Sequence, residues 1–263
     1  LKGDSAIGHT RYSTTGGTIL RNIQPLFAEF EFGGFALCHN GNLTNAEFLR
    51  KKLVGQGSIF QSTTDTEAII HLMAKAHGDV VTRLVAALSQ VEGAYSLVCL
   101  AKDQLIAVRD PRGVRPLVLG KLDDAFIVAS ETCAFDIIGA DYIRDLEAGE
   151  MVVIDRKGLR SLKPLPQAPK RSCVFEYIYF ARPDSVVEGE SVYEARKRIG
   201  AELARESGVP ADLIVPVPDS GVPAAIGYAR EANIPFDLGI IRNHYVGRTF
   251  IEPTDQIRHL GVK

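Results

Sequence analysis

An arginine set among hydroxyl residues and glycines marks the segment Gly8–Gly16, which reads GHTRYSTTG. The guanidinium of Arg11 is a rigid fork that can bind a carboxylate through two parallel hydrogen bonds. The flanking glycines would let such a ligand approach the backbone closely. The same composition is also typical of a surface turn with a solvated arginine, and spacing alone favours the turn.

A second polar segment, Cys38–Leu43, places Asn40 directly before Gly41. An asparagine side-chain amide and the following backbone N–H can point at one spot and stabilise an oxyanion. Asn-Gly is also the commonest dipeptide of a tight hairpin, and on its own it favours a plain turn that closes the preceding strand.

A third segment, Ser62–Glu67, contains an acidic residue at the predicted start of a helix. The carboxylate of Asp65 could hold the ammonium group of a substrate at this place. An ordinary helix cap is the alternative use of an aspartate in this position, and spacing does not exclude it.

A fourth segment, Val215–Gly221, ends in Asp219, Ser220 and Gly221 between a predicted strand and a predicted helix. Backbone N–H groups at the start of a helix can bind a pyrophosphate. An ordinary connecting loop with a capping Asp or Ser fits the pattern equally well. The six histidines show no spacing typical of a metal site.

Periodic apolar residues predict the elements that must position these segments. A strand over Phe35–His39 is expected to end at the Asn40-Gly41 turn. The helical period of 3.6 predicts three helices, over Asn45–Gln56, Asp65–Ala76 and Val80–Val91. Short runs rich in β-formers then predict an antiparallel meander and a further hairpin, over Ala94–Leu100, Leu105–Arg109, Leu117–Leu119, Phe126–Ala129 and 151–158.

Three prolines make Ser161–Arg171 the best linker in the chain. The pattern after it alternates between helix and strand, which is the unit of a parallel sheet. The expected elements are Tyr193–Ser207 and Pro223–Ala232 as helices, and Leu213–Val217 and Asp237–Ile241 as strands. The sequence therefore predicts a mixed α+β domain followed by the beginning of an α/β domain.

Composition excludes several classes of protein. The 263 residues include 30 Lys and Arg against 32 Asp and Glu, a net charge of −2, so the basic excess typical of nucleic-acid binding is absent. No apolar run approaches the ~18 residues of a membrane span. Four scattered cysteines predict no disulfide framework and suit a reducing, cytoplasmic setting.

Together and in this order, the segments resemble the amidophosphoribosyltransferase family, the glutamine phosphoribosylpyrophosphate amidotransferases. The resemblance runs from one end of the chain to the other. Its motifs are GHTRYSTTG at Gly8–Gly16, HNGNLTNA at His39–Ala46, TDTE at Thr64–Glu67, RDPRGVRPL at Arg109–Leu117, ASETCAFD at Ala129–Asp136, EYIYFARPDS at Glu176–Ser185, PVPDSG at Pro216–Gly221 and YVGRTFI at Tyr245–Ile251.

The resemblance implies an N-terminal-nucleophile glutaminase domain, an αββα sandwich incomplete at its N-terminus, over residues 1–167. The first part of a type I phosphoribosyltransferase domain would follow over 168–263. The implied activity is that of a glutamine-dependent glycosyltransferase in de novo purine biosynthesis. Glutamine, phosphoribosyl pyrophosphate and water would give 5-phosphoribosylamine, glutamate and pyrophosphate.

Site roles also follow from the resemblance alone. Arg11 would hold the α-carboxylate of glutamine and Asp65 its α-amino group, while Asn40 and Gly41 form the oxyanion hole. Asp219, Ser220 and Gly221 would form the pyrophosphate loop, with Ser220 beside Mg²⁺. The parts that close over substrate and line an ammonia path would include Tyr12 and Tyr245.

Other properties carried by the resemblance are a cofactor and several partners. Cys173 matches a ligand of a [4Fe–4S] cluster in one type of this family, but relatives without a cluster also have cysteine there, so the cluster stays open. Purine nucleotides would act as feedback inhibitors. The full-length protein would form a homo-oligomer, a dimer or a tetramer, with neither a membrane nor nucleic acid as partner.

The chain departs from the family pattern at its nucleophile. The family uses a cysteine at the mature N-terminus, whereas Leu1 stands first here and Cys38 belongs to another motif. His244 stands where relatives usually have arginine. We therefore expect an internal segment of a longer protein, inactive when expressed alone. The alternative is a non-catalytic pseudoenzyme or regulatory binding protein with the same fold.

Overall fold

The computed structural model describes residues 3–10 and 19–243. The chain divides into two compact units, described separately below. The first runs to Glu176 and includes Val186–Gly189, and the second takes Tyr177–Ser185 and the residues from Glu190 onward. The predicted boundary after residue 167 lies in the irregular segment that precedes this division, and the assignment of functional domains to the two units stays a prediction.

The first unit contains two antiparallel sheets. Its first nine strands are β1 (Leu26–Phe30), β2 (Gly33–Leu43), β3 (Gly93–Ala101), β4 (Gln104–Arg109), β5 (Val118–Leu122), β6 (Ala125–Ala129), β7 (Asp141–Asp145), β8 (Met151–Asp155) and β9 (Gly158–Leu162). Six of them form a sheet in the order β1-β2-β3-β4-β8-β9, and three form a sheet in the order β6-β5-β7. A two-residue strand, β10 (Val186–Val187), also belongs to this unit.

Four helices cover the two sheets. They are α1 (Ala46–Gly55), α2 (Glu67–Lys75), α3 (Val80–Leu88) and α4 (Cys133–Ile138), and a 3₁₀ turn at Leu20–Asn22 precedes them. One apolar core lies between α1–α3 and the six-stranded sheet, where Leu53, Met73 and Leu84 meet residues such as Leu37 and Leu97.

A second, smaller core joins the two sheets. Ala107 and Val152 of the six-stranded sheet pack with Leu117, Leu119 and Leu146. Helix α4 covers the small sheet, because a Cβ added to Gly120 of β5 would lie 2.9 Å from the ring of Phe135. The layers are therefore helix, sheet, sheet and helix, which confirms the predicted αββα sandwich.

Three predicted helices and the final hairpin of this unit are confirmed, but two strand predictions are wrong. Asn40-Gly41 does not form a turn, because β2 continues through both residues to Leu43. The expected meander is not one sheet either, since β4 pairs with β8 and not with β5.

The buried carboxylate of Asp110 explains why the chain leaves the first sheet after β4. It accepts the backbone N–H groups of Arg112 at 2.9 Å and Val114 at 3.0 Å, and so stabilises a tight turn. Arg109 closes the same turn by donating to the carbonyls of Gly113 and Arg115. The motif Arg109–Leu117 therefore redirects the chain into the second sheet.

Up to residue 243, where its described part ends, the second unit contains two packed helices, α5 (Val192–Glu206) and α6 (Val222–Ala232), after a two-residue strand β11 (Glu190–Ser191). Both helices agree with the prediction. The two predicted parallel strands are reduced to one parallel bridge, Ile214 to Phe236, in the described part of the chain. Pro216 and Pro218 lack the N–H groups that would extend the ladder. A five-residue π-helix, Glu176–Phe180, spans the division between the units.

Helices α5 and α6 approach each other through glycines, which makes their packing testable. A Cβ on Gly227 would lie 1.9 Å from the carbonyl oxygen of Lys197. We expect Gly227→Ala to lower the free energy of unfolding by about 1–3 kcal/mol, because the helices must move apart. Urea unfolding of the protein measures this change. Gly55→Ala is the matched control, since nothing lies within 4 Å of its added Cβ, and an equal loss in both variants would contradict the proposed clash.

Candidate functional site

Asp65 lies immediately before α2, but its carboxylate reaches the neighbouring sheet. Its Oδ2 accepts the backbone N–H of Leu43, the last residue of β2, at 2.8 Å. Its Oδ1 accepts the N–H of Thr66 at 2.9 Å and the Thr66 hydroxyl at 3.3 Å. The residue is only 8% exposed. Asp65 is therefore a buried side chain that ties the helical layer to the end of one strand, and not a simple helix cap.

His39 connects the same carboxylate to a second strand. Its Nδ1 lies 3.0 Å from Thr66 Oγ1 and 3.8 Å from Asp65 Oδ1. Its Nε2 lies 3.2 Å from the carbonyl oxygen of Ala94 in β3. Burial lowers the pKa of His39, although Asp65 and the Ala94 carbonyl act against that shift. In the neutral ring, the tautomer with a proton on Nε2 donates to Ala94, and its unprotonated Nδ1 then competes with Asp65 Oδ1 for the single hydroxyl proton of Thr66.

Asn40 and Gly41 occupy consecutive positions of β2, opposite Ser96 and Tyr95 of β3. Gly41 has a φ of +152°, and an added Cβ would lie 2.1 Å from the Ala94 carbonyl oxygen. Only glycine allows this approach of the two backbones. Because Asp65 contacts the flanking residues of β2, the structure brings Asn40, Gly41 and Asp65 together.

The segment that carries Asp65 is itself fixed by buried polar side chains that sequence reasoning missed. Glu67 accepts the N–H groups of Gln61 and Ser62, each at 2.7 Å. Burial alone would raise the pKa of Glu67, but these hydrogen bonds outweigh it and the pKa is lowered. Arg50 donates to the carbonyls of Ser62 at 2.9 Å and Thr64 at 3.0 Å.

Gln24 is a further missed residue, and it joins β2 to the Asp65 segment. Its Oε1 accepts the N–H of His39 at 2.6 Å, and its Nε2 donates to Thr66 Oγ1 at 3.5 Å. Gln24 and His39 are both buried polar residues. Buried positions are usually occupied by apolar side chains. A Gln and a His at such positions are the signal that could have identified Gln24 and His39.

The second unit holds the other predicted group at the N-terminus of α6. Asp219 and Ser220 are exposed, and the N–H of Gly221 donates to the Val217 carbonyl at 3.1 Å. An added Cβ on Gly221 would lie 2.7 Å from that same oxygen. Arg242 pairs with Asp219 at 2.7 Å. The loop therefore presents a hydroxyl and a carboxylate at the positive end of a helix, which suits an anion bound together with a cation.

Three predicted site residues, Arg11, Tyr12 and Tyr245, lie outside the described residues, and so does His244. Cys173 is partly exposed, whereas the other three cysteines are buried. Within residues 3–10 and 19–243, no group of three or more His, Cys, Asp or Glu side chains could hold a metal ion. None of the helices described is both long enough and apolar enough to cross a bilayer.

Comparison with known proteins agrees with this geometry. A family model described as a glutamine amidotransferase domain matches residues 9–136. The glutamine phosphoribosylpyrophosphate amidotransferase from Bacillus subtilis, solved with ADP and GMP, superposes with a TM-score of 0.87 at 46% identity. That match covers 97% of this chain and 56% of the other. The fold is therefore that of the glutamine amidotransferases.

Comparison with curated relatives shows which family of amidotransferases the chain resembles. The amidophosphoribosyltransferase of Rhizobium etli is 56% identical over 100% of this chain and 54% of its own length. The chloroplastic amidophosphoribosyltransferase of Glycine max is 52% identical over 100% of this chain and 47% of its own length. The chain belongs to the amidophosphoribosyltransferase family, and it spans about half the length of these relatives.

The buried His39 gives the site a measurable pH signature. The unfolded chain protonates this residue near its ordinary pKa of 6.5, whereas burial lowers the pKa of His39 in the folded chain. Its contribution to stability is thus fully present above about pH 6.5 and is lost as the pH falls, by up to about 1.4 kcal/mol per pH unit. Urea unfolding of the protein and of His39→Gln between about pH 8 and pH 5 checks this. Parallel stability curves for the two proteins would contradict the expectation.

Proposed function

We propose that the protein is an amidophosphoribosyltransferase of purine biosynthesis. It would convert glutamine, phosphoribosyl pyrophosphate and water to 5-phosphoribosylamine, glutamate and pyrophosphate. The observation that carries this proposal is the buried carboxylate of Asp65, held by the backbone of β2 at 2.8 Å beside Asn40 and Gly41. Family membership supplies the reaction, and this geometry supplies a site suited to its first substrate.

At the glutamine site, Asp65 would bind the α-ammonium group and Arg11 the α-carboxylate. The reaction is acyl transfer, in which a nucleophile attacks the amide carbon and negative charge develops on the carbonyl oxygen. The Asn40 amide and the Gly41 N–H would stabilise that charge. Cys38 is not the nucleophile, because burial raises the pKa of its thiol to about 11 and the reactive form is the thiolate.

At the second site, Asp219, Ser220 and Gly221 would bind the pyrophosphate of phosphoribosyl pyrophosphate. One carboxylate and one hydroxyl suit Mg²⁺ that is bound largely through substrate phosphates. We therefore propose that Ser220, with Asp219, faces this ion, which would neutralise the charge of the leaving pyrophosphate. Ammonia would then attack C1 of the sugar, and Tyr12 and Tyr245 are proposed to contribute to closure or to the ammonia path.

The described cysteines do not form an iron–sulfur site. A [4Fe–4S] cluster takes four thiolates, but no three Cys, His, Asp or Glu side chains within residues 3–10 and 19–243 are grouped so that they could hold a metal. Cys173 is thus proposed as one ligand only if further cysteines join it in the full-length protein. Feedback inhibition by purine nucleotides, assembly into a dimer or tetramer and a cytoplasmic location remain part of the proposal, and the four free thiols favour a reducing compartment.

Asp65→Asn tests the glutamine site in the product of the complete reading frame. The change removes the charge that would bind the α-ammonium group, so we expect the KM for glutamine to rise by about 10- to 100-fold. The release of pyrophosphate with ammonia as nitrogen donor should stay unchanged. Asp79→Asn is the matched control, because Asp79 only caps α3 through Thr82. Unchanged kinetics in Asp65→Asn would argue against this role.

Ser220→Ala tests the pyrophosphate loop. We expect it to slow pyrophosphate release about tenfold with glutamine and with ammonia alike, because both nitrogen donors share the second site. Ser207→Ala, at the end of α5 in the same unit, should have no effect. A wild-type protein that releases no pyrophosphate with either donor would favour the non-catalytic alternative.

A further inference from the structure

A single buried ring bridges the two parts of the proposed glutamine site. On one side, His39 Nδ1 lies 3.0 Å from the hydroxyl of Thr66, which in turn lies 3.3 Å from Asp65 Oδ1. On the other side, His39 Nε2 lies 3.2 Å from the carbonyl of Ala94. That carbonyl is the atom against which Gly41 packs so closely that no Cβ fits.

We propose that His39 is a positioning residue that fixes the separation between Asp65 and the Asn40-Gly41 pair, and so selects glutamine by the length of its side chain. This inference rests on the proposed function, because it takes Asp65 as the site of the α-ammonium group. His39 touches no substrate atom in this proposal. It acts through Thr66 on one side and through Ala94 on the other.

A merely structural histidine would satisfy its hydrogen bonds anywhere in the core. Here both partners belong to the elements that carry the substrate-binding groups, and Gln24 doubles the link by contacting the His39 N–H at 2.6 Å and Thr66 Oγ1 at 3.5 Å. Burial of all these side chains keeps water from loosening the contacts. The bridge therefore has two arms: the contact of His39 with Thr66 on the Asp65 side, and its contact with Ala94 on the side of the oxyanion hole. Substitutions can remove each arm separately.

Fixed separation matters because asparagine differs from glutamine only by one methylene group. If Asp65 holds the ammonium group, the amide carbonyl reaches the oxyanion hole only in the amino acid of matching length. A rigid site penalises the shorter substrate, because a misplaced reacting group loses rate steeply. Loosening either arm of His39 should reduce the preference for glutamine over asparagine.

Two substitutions separate the arms. The amide of His39→Gln reaches the former position of Nε2 and keeps the contact with Ala94, but it loses the contact with Thr66. The amide of His39→Asn occupies the former position of Nδ1 and keeps Thr66, but it loses Ala94. Glutamine hydrolysis by the product of the complete reading frame, its asparagine hydrolysis and its ammonia-dependent activity are measured for each variant.

We expect His39→Gln to raise the KM for glutamine about tenfold with little change in kcat, since the Asp65 arm is loosened. We expect His39→Asn to lower kcat about tenfold with little change in KM, since the oxyanion arm is loosened. In both variants the glutamine-to-asparagine ratio of kcat/KM should fall, and the ammonia-dependent activity should persist.

The same change of kcat and KM in both variants, or an unaltered substrate ratio, would overturn the inference. Should neither variant fold, Thr66→Val cuts the first arm without touching the ring and must raise the KM for glutamine, and an unchanged KM there overturns it too. A wild-type protein without glutamine hydrolysis would refute the proposed function itself, so the two failures are distinguishable.

Discussion

One hydrogen bond, from the backbone N–H of Leu43 to the Asp65 carboxylate, ties the helical layer to the six-stranded sheet at the proposed glutamine site. It is 2.8 Å long and buried. A buried carboxylate is costly unless hydrogen bonds replace the water that it loses. The carboxylate obtains them from Leu43 and from Thr66, so both segments are fixed relative to it. Moving either one would expose an uncompensated charge to the core.

Close approach of two strands is the second condition of the site. Gly41 in β2 and Gly93 in β3 each have a backbone conformation and a contact distance that exclude a side chain, with an added Cβ at 2.1 Å and 2.4 Å from the opposite strand. Any larger residue would push the strands apart and move the Ala94 carbonyl away from His39. The glycines allow the two strands to lie close together, and the polar network requires that close approach for the contact between His39 and the Ala94 carbonyl.

Whereas the layer order was implied by the family resemblance, periodicity predicted the helices well, since apolar stripes decide which face is buried. It failed at Asn40-Gly41, where a dipeptide typical of turns continues a strand to Leu43. The reason is non-local, because β2 is held in register by β3 and by Asp65, which lie far along the chain. Buried polar residues such as Gln24 have no periodic signal, so the sequence did not predict the network behind the candidate site.

The two proposed sites are built on opposite physical principles. The glutamine site is held in place by buried, hydrogen-bonded side chains before any ligand arrives. The loop at Asp219–Gly221 is exposed, and its ion pair between Asp219 and Arg242 is accessible to solvent. Such pairs contribute at most about 1 kcal/mol, so that pair does little to fix the loop. A bound pyrophosphate would replace it with charge-assisted contacts to the helix N-terminus. Selectivity at the first proposed site would thus depend on rigidity, whereas binding at the second would depend on charge.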